Sequence, residues 1–105
     1  MAVDRLELLI LKALALAPRH GYGIAQRIEQ MSGGVFKATL GALYPALQRL
    51  ERSGRVKGSW SVSENNRRAR YYALTAAGRR RLAAGEKDWE RAVAAMTRVL
   101  RAETE

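Results

Sequence analysis

The 105-residue chain has no cysteine, a single histidine (His20) and only two prolines, Pro18 and Pro45. Without cysteine there is no disulfide, and no zinc site of Cys and His ligands can form. A metal site built from carboxylates alone would need an acidic cluster, and none stands out along the chain. Long hydrophobic runs are also missing. The apolar stretch from Leu6 to Ala17 is broken by Glu7 and Lys12, and it falls short of the ~20 apolar residues a spanning helix takes. The opening Met1-Ala2-Val3-Asp4 lacks the basic segment of a secretory signal, so a cytoplasmic protein with no membrane partner is expected. No nucleophile, base and orienting acid fall into a recognisable arrangement. The chain does not read as an enzyme, and no cofactor is expected.

Acidic residues are scarce: ten Asp and Glu stand against nineteen Lys and Arg, a formal net charge of +9. Such a balance points to a polyanionic partner. A hydrophobic content of 48% supports one folded domain rather than disorder. Six of the positive charges, Arg67, Arg68, Arg70, Arg79, Arg80 and Arg81, lie between residues 65 and 85, a stretch with no Asp or Glu.

The periodicities order the chain. Asp4 is placed to cap a first helix that Pro18 ends. On it Leu6, Leu9, Ile10, Ala13, Leu14 and Ala17 form one apolar stripe, and Leu8, Leu11 and Ala15 a second. A helix apolar on two faces is buried on both, so the second face is expected to meet another subunit; coverage by a later part of the same chain is the alternative. His20-Gly21-Tyr22-Gly23 reads as a turn entering a short second helix that buries Ile24, Ile28 and Met31 and stops at Ser32-Gly33-Gly34.

A third helix opens near Thr39 and closes at Gly54. Leu40, Leu43, Leu47 and Leu50 share one side; Gly41, Pro45, Gln48 and Arg52, flanked by Tyr44 and Arg49, share the other. Pro45 is expected in the opening turn, where backbone donors lack internal partners. Beyond Gly54 the period becomes two. Val56, Gly58, Trp60 and Val62 alternate with polar residues as in a half-buried strand. Ser63-Glu64-Asn65-Asn66-Arg67-Arg68 is a polar turn, and Arg70–Leu74 returns to complete a two-stranded hairpin. Thr75 caps a last helix reaching about Ala102, in which Leu82, Trp89, Val93, Met96 and Leu100 approximate a heptad seam. Gly78 and Gly85 weaken its start. The expected fold is mainly α with a small β-hairpin (α+β).

A short helix with an open polar face beside an arginine-rich hairpin suits entry into a major groove with a grip on the flanking phosphates. An RNA module would show stacking aromatics on a sheet face, and a membrane-surface helix would not carry the acids of the last helix. A module that binds an acidic protein is the rival from another class.

Four segments in series carry a family resemblance: Leu6-Glu7-Leu8-Leu9-Ile10-Leu11, His20-Gly21-Tyr22-Gly23-Ile24, Leu43-Tyr44-Pro45-Ala46-Leu47-Gln48-Arg49-Leu50-Glu51 and Arg68-Ala69-Arg70-Tyr71-Tyr72-Ala73-Leu74-Thr75. Together they resemble the PadR family of transcriptional regulators over residues 5 to 82, in its short form with a single C-terminal helix. The resemblance implies a winged helix-turn-helix domain, residues 1–75, and a C-terminal dimerisation helix, residues 76–105. It implies a homodimer that binds double-stranded DNA at a palindromic operator and represses until a small molecule or signal releases it. The residues expected at DNA are Tyr22, Lys37, Thr39, Tyr44, Gln48, Arg49, Arg52, Asn66, Arg67, Arg68 and Arg70. Tyr44 is either a base or backbone contact or a half-buried core residue, and Tyr22 either touches phosphate or packs the helix-turn-helix elbow. Leu8, Leu11, Trp89, Val93, Met96 and Leu100 are expected at a dimer interface or effector pocket. There Trp89 either stacks on a planar aromatic molecule or simply packs the seam. One departure is Gly41-Ala42 where the family has Gly-Thr before Leu-Tyr-Pro; the missing hydroxyl's role passes to Thr39.

Overall fold

A computed structural model of the chain describes residues 4–62 and 65–103. The start Met1-Ala2-Val3 and the Ser63-Glu64 part of the expected turn lie outside the described residues. The elements run α1 (Arg5–Leu16), β1 (Arg19–His20), α2 (Gly21–Met31), α3 (Leu40–Arg52), β2 (Val56–Val62), β3 (Arg68–Leu74) and α4 (Ala76–Leu100).

Each helix begins at a side chain that satisfies its first amides. The Asp4 carboxylate accepts from the Leu6 and Glu7 amides at 2.9 and 3.3 Å. His20 Nδ1 accepts from the Gly23 amide at 3.0 Å, so α2 starts at once where a turn was expected. Thr39 accepts from Ala42 at 3.2 Å and Thr75 from Gly78 at 3.0 Å. The last carbonyls of α1 are served from another element: Arg27 of α2 donates to the oxygens of Ala13 and Ala17 at 2.8 and 3.2 Å. Desolvation, with the charge of Arg19 adding to it, lowers the pKa of that guanidinium. Gly54 ends α3 in the left-handed region, φ 74°, where a side chain would be strained.

The sheet has three strands, not two. β1 pairs antiparallel with the outer edge of β3, Arg19 opposite Tyr72 and His20 opposite Tyr71. β2 pairs with the other edge, from Val56 opposite Leu74 to Val62 opposite Arg68. Asn66 in the turn takes a positive φ (59°), a conformation asparagine tolerates.

The core joins Ile10, Leu11, Ala13 and Leu14 of α1, Ile24 and Ile28 of α2, Leu43, Ala46, Leu47 and Leu50 of α3, Val56, Tyr72 and Leu82. Leu11 is therefore covered by its own chain and is not available to a second subunit, while Leu8 stays half-buried. Three other expectations fail for lack of anything to pack on: Leu40, at the free start of α3, is exposed, as are Met31 at the end of α2 and Trp60 and Val62 on the outer half of β2. α3 begins at Leu40, as the position of Pro45 leads one to expect, and Pro45 is its sixth residue, in the second turn rather than the first. Its missing N–H leaves the carbonyl of Gly41 without its helical donor. Gly41 is exposed, so water can serve that oxygen.

The wing, α3 and α4 meet at one junction. The Arg55 carbonyl accepts from the Thr75 amide at 3.2 Å, and the Thr75 hydroxyl donates to the Gly54 carbonyl at 2.7 Å. Gly78 is buried against Arg55 and Leu74. Gly78 and Gly85 thus both sit on the packed side of α4, and at Gly78 the missing side chain lets the helix approach Arg55 and Leu74 closely, whatever it costs in helix propensity. Further along, Trp89, Val93, Met96, Val99 and Leu100 are exposed, so the seam leaves the core after Leu82. Among the described residues no helix is long and apolar enough to cross a membrane.

Candidate nucleic-acid interface

Between the start of α2, the first half of α3 and the outer half of the hairpin lies a groove of about 540 Å³. Its lining includes Tyr22, Tyr44, Arg67, Arg68 and Arg70 from the expected set, with Arg19, Gln26, Trp60 and Asn65 added. Among the described residues that lining carries four arginines and no carboxylate. Tyr22 and Tyr44 are 59% and 43% exposed. Tyr44 also lies directly over Gly21, whose α-carbon leaves no space for a methyl group under the phenol.

The remaining expected residues divide. Gln48 and Arg52 are exposed on the same face of α3 as Tyr44, one and two turns further on. Lys37 and Thr39 line a separate depression at the start of α3, shared with Leu6, Leu9, Ile28 and Phe36, and the Thr39 hydroxyl caps the helix. Asn66 is exposed at the hairpin tip. Two arginines are held by acids rather than open to phosphate. Arg49 Nε lies 2.9 Å from Glu7 of α1. Arg70 lies 2.5 Å from Glu51 of α3, and its guanidinium is 5.8 and 6.0 Å from the Trp60 and Tyr72 ring centres. Burial pushes the Tyr72 phenol above the ordinary tyrosine range; the charge of Arg70 pulls it back, and Glu51 and Tyr44 raise it further.

Arg19 was missed in the sequence because its place in the groove depends on β1. Its Nε is buried without a hydrogen-bond partner among the described residues. A buried unsatisfied donor is costly, and this one belongs to a side chain at the wall of an arginine-lined groove.

Away from the groove's lining residues, Arg5, Leu8, Leu9, Lys12, Phe36, Leu82, Glu86 and Trp89 surround a cavity of about 220 Å³ between α1 and α4. Leu8 and Trp89 of the expected effector set meet there; Val93, Met96 and Leu100 lie further out along α4 and do not line it.

Three helices followed by a hairpin wing, with α3 presenting an open polar face beside it, define a winged helix-turn-helix protein. The description "Transcriptional regulator PadR-like family" fits residues 10–84, so the chain belongs to the PadR-like family, whose members regulate transcription and are not enzymes. It is 42% identical over 79 residues to a 37.1 kDa protein in transposon Tn4556 of Streptomyces fradiae, covering 75% of this chain and 21% of that one. The chain thus spans about a fifth of that relative's length. A PadR family transcription regulator from Clostridium difficile R20291 has the same fold with a TM-score of 0.79 and 27% identity, over 92% of this chain and 99% of that one. The Bacillus subtilis PadR structure, in complex with operator DNA, shares the fold at a TM-score of 0.67 and 22% identity, over 97% of this chain and 50% of that one.

Proposed function

We propose that this protein is a dimeric, sequence-specific repressor that binds a palindromic operator in double-stranded DNA in the cytoplasm and is released by a planar aromatic effector. The observation that carries the DNA reading is the groove. Three elements distant in sequence converge there on exposed tyrosines and on arginines, with no acid in the lining among the described residues. The operator complex of the B. subtilis relative supports the same partner class.

In this reading Gln48 and Arg52, with Tyr44, face the base edges from α3, and Arg67 and Arg68 hold phosphates from the wing. Lys37 and Thr39 meet the backbone at the start of α3. Residues 1–75 are the DNA-binding unit of this reading, and residues 76–105, which contain α4 (Ala76–Leu100), the dimerisation segment. The exposed apolar row Trp89, Val93, Met96 and Leu100 supports a second copy as its cover. Two-fold symmetry then spaces half-sites about one helical turn, ~10 bp, apart. The cavity between Leu8 and Trp89 is the proposed effector site.

Fluorescence anisotropy tests the reading, with a labelled duplex from upstream of the protein's own coding region, a scrambled duplex and a salt series. Saturation at two chains per duplex with about a hundredfold preference over the scramble supports it. Equal, steeply salt-dependent binding to both duplexes reduces it to charge attraction, and no binding at low salt overturns it.

A further inference from the structure

Trp60 occupies a position that folding does not explain. The alternation of β2 puts it on the same face as buried Val56, yet it is 57% exposed, and Val62 beyond it 60%. An indole in water forgoes the burial that justifies its size and invites aggregation. It is nevertheless held in one place. Arg70 stands directly opposite on β3 and Arg68 diagonally, with the Arg68 guanidinium 4.9 Å from the ring centre. Gly58, two residues earlier on the same face, vacates the space in which Arg70 lies: a β-carbon there would come within 2.7 Å of the Arg70 Nε. Arg70 in turn is anchored to Glu51 of α3. An unbroken series of contacts, Glu51 to Arg70 to Trp60, therefore fixes an exposed aromatic ring relative to the helix that faces the groove.

We infer that Trp60 is a DNA-contact residue, its ring seated on the deoxyribose edge of the minor groove beside the segment read by α3, with Arg70, braced by Glu51, as the positioning residue. The inference rests on the DNA-binding reading above and names a contact that reading does not need. An element flanking a helix in the major groove falls across the neighbouring backbone toward the minor groove. The sugar C–H wall there is an apolar surface that DNA offers outside its stacked bases, in the groove where proteins bring apolar side chains against the duplex. Arg68, stacked on the same ring, reaches the adjoining phosphate. Arginine alone suffices to hold phosphates; the fixed indole adds a contact sensitive to the groove's width and therefore to flanking sequence.

The test uses the full chain labelled with 5-fluorotryptophan, which gives two resonances, Trp60 and Trp89, assigned with Trp60→Phe. The probe is a duplex selected by the unlabelled chain from a random pool. On saturation the Trp60 fluorine should shift and lose its H2O/D2O solvent shift. Trp60→Ala should weaken binding about tenfold and Trp60→Phe about threefold, both with the slope of log affinity against log salt unchanged, because stacking on sugar releases no counterions. Glu51→Gln should also weaken binding, although removing a negative charge would by itself strengthen it. Circular dichroism melts check that each variant folds. A Trp60 resonance that keeps its solvent shift in a formed complex overturns the inference and leaves DNA binding standing. So does a folded Trp60→Ala chain that binds like wild type, or a loss accompanied by a flatter salt slope. Failure of the wild-type chain to select any duplex removes the DNA-binding reading, and this inference with it.

Discussion

Arg49, on the face of α3 expected to read DNA, donates to the carboxylate of Glu7 on α1 across 2.9 Å, joining residues 42 apart in the chain. The Glu7 side chain is 14% exposed and that of Arg49 52%, so the acid is the fixed member and the arginine the one that can leave. A half-exposed pair of this kind contributes about 0.2–1 kcal/mol. Glu7→Gln should therefore lower stability in urea by no more than that, and should raise affinity for duplex of any sequence by freeing a cation. Arg49→Ala should cost less specificity than Gln48→Ala in competition binding. An equal loss would mean that Arg49 abandons Glu7 on the operator.

Gly21 and Tyr44 give a second expectation. A β-carbon at position 21 would come within 2.6–2.8 Å of the outer atoms of the Tyr44 ring. Those atoms end a half-exposed side chain that is free to swing outward. Gly21→Ala should thus melt within a few degrees of wild type while lowering duplex affinity as much as Tyr44→Ala does. A large loss of melting temperature would show that Tyr44 is a structural residue first.

The opposite sign is expected at Gly78. Replacing glycine by alanine inside a helix ordinarily gains about 1 kcal/mol. Here the added carbon would strike the Arg55 carbonyl and Leu74, and backbone cannot step aside as a phenol can. Gly78→Ala should cost about 2 kcal/mol or more, read as a shift of the urea midpoint at unchanged m-value.

Tyr72 sets a limit at alkaline pH. Its folded pKa lies above the ordinary 10.0, chiefly through desolvation. The neutral form is therefore favoured in the native state, and the associated stability is complete below the unfolded value and lost as pH rises through the folded one. Wild type should lose stability more steeply than Tyr72→Phe in urea titrations above pH ~10. Parallel curves would place the phenol in an ordinary environment.

Met96, exposed near the end of α4, tests the proposed dimer. Met96→Glu puts a charge into the apolar row and should shift sedimentation toward monomer with the melting curve of the helix-turn-helix core unchanged. A variant that sediments like wild type would move the interface elsewhere.

What the sequence revealed and what it hid follow from the range of the interactions. Asp4, Thr39 and Thr75 act on amides two or three residues away, so the starts of α1, α3 and α4 were legible. β1 was not: two residues carry no period, and Arg19–His20 is a strand only because the edge of β3 passes beside it. Alternation named the side of β2 on which Trp60 and Val62 lie but not where the covering helices stop. The arginine concentration was visible, yet the partners of Arg49 and Arg70 come from Glu7 and Glu51 on other elements, and the two aromatic faces of the groove, Tyr22 and Tyr44, converge only after α2 and α3 pack.

The junction of Gly54, Arg55, Thr75 and Gly78 has a mechanical meaning. α4 is 25 residues long, a rod of about 37 Å, and it meets the base of the hairpin where the Arg55 carbonyl accepts from the Thr75 amide and the Gly54 carbonyl from the Thr75 hydroxyl, with Gly78 packed on Arg55 and Leu74. The close packing at Gly78 leaves no room for the start of the rod to slide against the strand base, so a tilt of α4 about that point would have to carry the root of the wing with it.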